Sequence, residues 1–216
     1  MNIIFGKICL AAILFIFPIA AFSQETEAVE KTQKIVGEII EKSYPELKTA
    51  KIDIKTFESD SNYFKSQFSI ERFLTFRKIS YVIFVNPEVF RRNAPGDGIR
   101  AILAHELAHV FYYQRKNRFE LFGLARLADK SFTAKFERRA DLEAIERGYG
   151  EGLKSYRQWL YQNIPLKSVN AKKRDYFSPE EIDLMLRILQ KKPEMIEVWR
   201  RRVPRSLKEI SQNPER

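Results

Sequence analysis

The sequence predicts an α+β fold, a small N-terminal β-sheet followed by a mainly helical part. Two observations carry this. Alternating and β-branched runs are confined to residues 50–85, and helical periodicity takes over from about residue 98. The 216 residues, 44% of them apolar and 13% aromatic, suffice for one domain with a sizeable core.

Residues 1–23 read as a signal peptide. Met1 to Lys7 is a short positive segment, Ile8 to Ile19 is nearly unbroken apolar sequence, and Ala21-Phe22-Ser23 offers small residues for cleavage. The alternative is a membrane anchor formed by residues 8–22, although the apolar run is short for a span. Cys9 is the only cysteine, so a processed chain would contain no disulfide and no thiolate ligand. That pattern suits a periplasmic or secreted bacterial protein. The net charge is +10, and losing Lys7 with the leader leaves +9. Such a surface can meet an anionic membrane or envelope polymer, or simply favour solubility. Nucleic acid is not an expected partner outside the cell.

The expected domain spans residues 24–216, with a metal-site core at about 79–150 and C-terminal helices over 151–216. Within it, residues 26–43 predict an amphipathic helix through Val29, Ile35, Val36, Ile39 and Ile40, ended by Pro45. Residues 50–57 alternate as a strand, 63–70 make a weaker one, and 71–78 are ambiguous. Residues 79–85 are β-branched and aromatic, the mark of a central strand. Asp97 is placed to cap a helix running from about Gly98 to Gln114. Ala101, Ala104 and Ala108 would let another helix approach it. Further helices are predicted over 118–129, 132–147 (stopped at Gly148), 151–162 and from Ser178-Pro179 to about Gln190. Pro193 and Pro204 bracket a short one, and the tail reads as a surface element.

The helix over 98–114 carries His105-Glu106-Leu107-Ala108-His109. Histidines at i and i+4 lie one turn apart on one face, where both can bind one metal ion. Glu106 can take a proton from a water on that metal, so the pattern reads as a zinc site with a general base. The chain has two histidines and both are in this motif. Glu106-x-x-His109 also fits a di-iron bundle, but such bundles need a second E-x-x-H, which two histidines cannot supply.

A catalytic zinc takes three protein ligands. With His and Cys exhausted, the third must be a carboxylate. Glu137 is the leading candidate, and Glu143 and Glu120 are weaker ones. Asp141 follows Glu137 at i+4 and is placed to hold a ligand histidine through its other nitrogen. Alone, Glu137-x-x-x-Asp141 would read as a solvated charged face. Its position after H-E-x-x-H gives it weight.

Together, His105-Glu106-Leu107-Ala108-His109 and Glu137-Arg138-Arg139-Ala140-Asp141 resemble the gluzincin zinc metallopeptidases, over roughly residues 79–150. The resemblance implies a zincin-like fold, a glutamate third ligand, peptide-bond hydrolysis of a peptide or protein substrate, and a strand edge that holds extended substrate. Residues 79–85 are the candidate edge. Many gluzincins carry a further His, Tyr or Arg for the transition state. With no spare histidine, Tyr149, Tyr156, Tyr161 or an arginine would have to serve. The rival expectation is a metal-binding or chaperone-like envelope protein without turnover.

Overall fold

The structure is a computed structural model that describes the backbone of residues 5–75, 79–116 and 130–212. Side chains are described from Gln24 onward in those ranges, apart from Ile70, Phe73, Lys130 and Ser131. The leader's side chains and the helix expected over 118–129, with Glu120, lie outside the described residues. No helix among the described residues is long and apolar enough to cross a membrane.

Helix α1 (Phe5–Ser43) buries Ala28, Thr32, Val36 and Ile39, a spacing of three and four that keeps one face on the core. It ends where Pro45 starts a 3₁₀ turn (Pro45–Leu47). Tyr44 at this corner is fully buried, and its hydroxyl donates to the Ala104 carbonyl at 2.8 Å. The N-terminal helix is thereby tied to the motif helix.

Strands β1 (Ile52–Thr56), β2 (Phe64–Phe68) and β3 (Tyr81–Val85) form one mixed sheet in the order β1-β3-β2. β3 runs parallel to β1, with Ile52 opposite Tyr81, and antiparallel to β2, with Phe64 opposite Val85. Tyr81, Ile83 and Val85 alternate into the core, as the period of two requires. The expectation of a central strand holds. Its use as a free edge does not, because β3 is hydrogen-bonded on both sides. The ambiguous segment after β2 begins with a short helix, α2 (Ile70–Leu74), capped by the Ser69 hydroxyl.

After α3 (Glu88–Arg91) comes α4 (Gly96–Gln114), buried at nearly every position from Gly98 to Val110. It starts two residues earlier than expected, with Pro95 at the cap position. Asp97 therefore does not cap it from outside. It lies in the first turn and accepts from the Gly98 N–H at 2.8 Å.

Helix α5 (Lys130–Ala144) runs into a π-turn (Ile145–Tyr149) in which Gly148 takes φ +88°, a conformation that favours glycine. The chain then restarts as α6 (Gly150–Asn163). Here α6 meets α4 with almost no side chain between them. A Cβ on Gly152 would overlap the Asp97 carbonyl and sit 3.0 Å from the Ala101 Cβ. The small-residue approach expected around Ala101 is this crossing.

Four shorter helices follow: α7 (Leu166–Asp175), α8 (Pro179–Lys191), α9 (Met195–Arg201) and α10 (Leu207–Ser211). α8 has a full capping box between Ser178 and Glu181. The sequence did not anticipate α7, which buries none of its residues and so has no apolar stripe. The tail is also more than surface: Ile210 of α10 is fully buried beside Phe177 and Met185.

Candidate metal centre

Successive turns of α4 present His105 and His109 from a helix held on several sides. α6 and α5 pack on it from the C-terminal half, and β2 and α1 pack from the N-terminal half. Both histidines are almost completely buried. Phe136 stacks flat on His109, with centroids 4.5 Å apart and planes at 20°, and limits how that ring can turn.

α5 supplies the third group. Glu137 Oε2 lies 3.2 Å from His105 Nε2 and 3.1 Å from His109 Nε2, and the two nitrogens are 3.1 Å apart. His105, His109 and Glu137 thus form a cluster close enough to hold one metal ion. A tetrahedral ion with bonds of about 2.0–2.1 Å needs donors about 3.3 Å apart, near the spacing found here. Two imidazoles and one carboxylate, with no thiolate, suit zinc and leave room for a further ligand.

Asp141, one turn on from Glu137, backs the cluster. Its Oδ1 lies 2.7 Å from His105 Nδ1. An ionised carboxylate can only accept, so Nδ1 carries the proton and Nε2 is turned toward Glu137 and His109. Asp141 is fully buried, yet it also accepts from Arg157 Nη2 at 3.0 Å and from the Phe177 N–H at 3.0 Å. Burial pushes its carboxyl up, but Arg157, His105 and the Phe177 N–H outweigh burial and hold it below its ordinary value. Arg157 in turn lies 4.3 Å over the ring of Tyr176.

The same forces set the ligands' proton affinities without a metal. Burial disfavours the His105 cation. The charge and hydrogen bond of Asp141, helped by Glu137 and Glu106, outweigh it and raise His105 to about 9. Burial likewise raises Glu137, and the two imidazoles reverse this and hold it well below its usual value.

No protein-family model, curated protein or solved structure matches this chain. The donor set itself is therefore the guide to what the centre can do.

Glu106 is 5% exposed, and its carboxylate makes no hydrogen bond to another described residue. Among the described residues it is thus uncommitted. Glu143, the other described rival for third ligand, is occupied elsewhere by Arg147 at 2.7 Å and Arg200 at 3.4 Å.

The transition-state candidates sort differently from expectation. Tyr149 shares a hydrogen bond of 2.9 Å with Ser43 at the end of α1. Tyr156 is buried against Trp159, and the Tyr161 hydroxyl is buried without a hydrogen-bond partner among the described residues. Two other tyrosines come to the site: Tyr113 stacks 6.3 Å from His109, and Tyr176 has its ring 5.8 Å from that of His105 and a hydroxyl that makes no hydrogen bond to a described residue. Sequence reasoning missed Tyr176, Arg157 and Lys172. Each lies beyond residue 150 and belongs to no motif, so the surroundings of the centre extend past the expected core at 79–150. A cavity of about 420 Å³ is lined by His109 and Phe136 but by neither Glu106 nor Glu137, so it borders the cluster rather than covering it.

Proposed function

We propose that this chain is a zinc-dependent peptidase with a zincin-like centre, exported to the periplasm or secreted. One observation carries the reading: three donors converge at 3.1–3.2 Å, and on the residue after His105 is a buried carboxylate, Glu106, that makes no hydrogen bond to another described residue. His105, His109 and Glu137 would hold the ion. Zinc, when bound there, supplies Lewis-acid polarisation of a scissile carbonyl and lowers the pKa of water.

The rest of the chemistry belongs to the chain. Glu106 takes a proton from the attacking water and passes it to the leaving amine. Asp141 keeps His105 in the tautomer whose Nε2 lone pair is free. Tyr176, next to His105 and with a hydroxyl that makes no hydrogen bond to another described residue, would donate to the carbonyl oxygen as it becomes negative. Extended substrate is assigned to the outer edge of β2. Among the described residues β2 pairs only with β3, and it reaches the site through Phe68, which meets Tyr113, which stacks beside His109.

Elemental analysis of purified wild type and Glu137→Ala tests the centre. About one zinc per wild-type chain, lost or much weakened in the variant, is expected. Peptide cleavage by wild type but not by Glu106→Ala, with zinc retained, is expected for the mechanism. A wild-type chain that takes up no zinc would end the proposal, and full cleavage by Glu106→Ala would end the assigned role of Glu106.

A further inference from the structure

Most of the buried or half-buried cations around the centre already have a carboxylate. Arg157 is bound to Asp141, Arg138 to Glu181, and Arg147 to Glu143 and Glu46. Among the described residues, Lys172 differs from these three. It is half-buried, and no ion pair joins it to another described residue. Its ammonium is held by a neutral group, Asn62 Oδ1 at 2.7 Å, in the turn between β1 and β2. It also lies 4.9 Å over the ring of Tyr176, the tyrosine beside His105.

A charge withdrawn from water without an opposite charge is costly, and proteins usually pair it. Here burial and the nearby Arg157 depress Lys172 to about 8, while Glu137, Glu106 and Asp175, three residues on, oppose that. Tyr176 joins Lys172 to the centre, since the ammonium overlies its ring and that ring lies 5.8 Å from the ring of His105. Binding of zinc would engage the charge of Glu137 and leave the ammonium with less opposing charge. α7 packs on α5, and the contact with Asn62 ties its lysine to the sheet, so the ammonium is held in place before any ligand arrives.

We propose that Lys172 is a specificity residue that receives a carboxylate of the substrate close to the scissile bond. The carboxylate is either a free C-terminus or an acidic side chain. The inference rests on the peptidase reading and names its substrate class.

The test uses full-length zinc-loaded Glu106→Gln protein, which should bind peptide without cutting it. Fluorescence anisotropy compares three labelled alanine pentapeptides: one with a free C-terminal carboxylate, one with a C-terminal amide, and the amide with one alanine replaced by glutamate. At least one carboxylate peptide should bind roughly 10-fold more tightly than the neutral amide, the scale of one charge-assisted hydrogen bond. Which of the two gains identifies the source of the carboxylate. Adding Lys172→Met, which keeps the apolar stem, should erase the preference. Lys172→Arg should keep part of it, and Asn62→Ala should weaken it with little change in fold by circular dichroism.

A preference that survives Lys172→Met overturns the proposal. So does the absence of any preference, or of any binding, in the protein with Lys172 intact. Failure of wild type to take up zinc overturns the peptidase reading and this inference together, whereas zinc uptake without a Lys172-dependent preference overturns this inference alone.

Discussion

The two sides of the His105 ring hold charge in opposite ways. Behind it, Asp141 and Arg157 are both buried, ion-paired at 3.0 Å and supplemented by a backbone N–H. In front, Glu106 makes no hydrogen bond to another described residue, and the partners of Lys172 among the described residues, an amide oxygen and the Tyr176 ring, are both neutral. Both sides bear the cost of removing charge from water, but only the rear recovers it within the fold. A buried charge that is paired is part of the scaffold. A buried charge left open points to something that arrives later.

The largest expected effects come from breaking the rear. Asp141→Ala strands the Arg157 guanidinium and removes the anchor of His105. It should cost about 3–5 kcal/mol of stability in urea denaturation, the usual penalty for leaving one buried partner of an ion pair. Adding Arg157→Met should restore much of that stability, because an apolar pair of similar volume no longer needs a counter-charge. Zinc affinity should not recover in the double variant, and a loss of roughly 10- to 100-fold should remain, since His105 still lacks its acceptor. Recovery of both would mean that Asp141 acts only through Arg157.

The sequence and the structure agree best where chemistry and periodicity coincide. His105, Glu106 and His109 are one helical turn apart, and the helix repeat alone brings the two rings together. Glu137 was legible as a candidate by elimination and by its place after the motif, Asp141 by standing at i+4 from it, and the structure brings both carboxylates to the histidines. β3 was legible as central, but its hydrogen bonding to both neighbours, and hence its lack of a free edge, is a property of the sheet order. Arg157, Lys172 and Tyr176 were not legible. They arrive from α6, α7 and the segment before α8, and only the packing of α6 on α4 and of α7 on α5 brings Arg157 to Asp141 and Lys172 to Tyr176. In sequence, Lys172-Lys173-Arg174 reads as an ordinary solvated run.

That packing offers a smaller way to sharpen the comparison. Arg157 reaches Asp141 because α6 lies directly on α4 at Gly152. Gly152→Ala would push its Cβ into the Asp97 carbonyl, which is backbone and cannot rotate away. A loss of about 1–3 kcal/mol is expected from this overpacking, read from thermal or urea unfolding. Gly37→Ala provides the contrast. Nothing lies within 4 Å of the added Cβ on that exposed helical face, so a gain of about 0.4–1 kcal/mol is expected. Equal effects at the two sites would show that the α4–α6 crossing is not closely constrained.

The smallest effect is a proton count, and it tests where the two sides meet. Without metal, His105 is raised from an ordinary value of 6.5 to about 9 by its carboxylate neighbours. A value raised by folding means that the imidazolium stabilises the metal-free protein fully below 6.5, and that this contribution fades as pH climbs through about 9. Zinc needs the neutral ring. Near neutral pH its binding should therefore expel about one proton from His105, and the release should decline above pH 9. Titration calorimetry in buffers of different ionisation enthalpy measures this directly. In Asp141→Ala/Arg157→Met the ring loses the neighbour that does most to raise it, so less of the proton should be present to expel. A release unchanged in that double variant would assign the proton to the front of the site and deny the rear carboxylate its hold on His105.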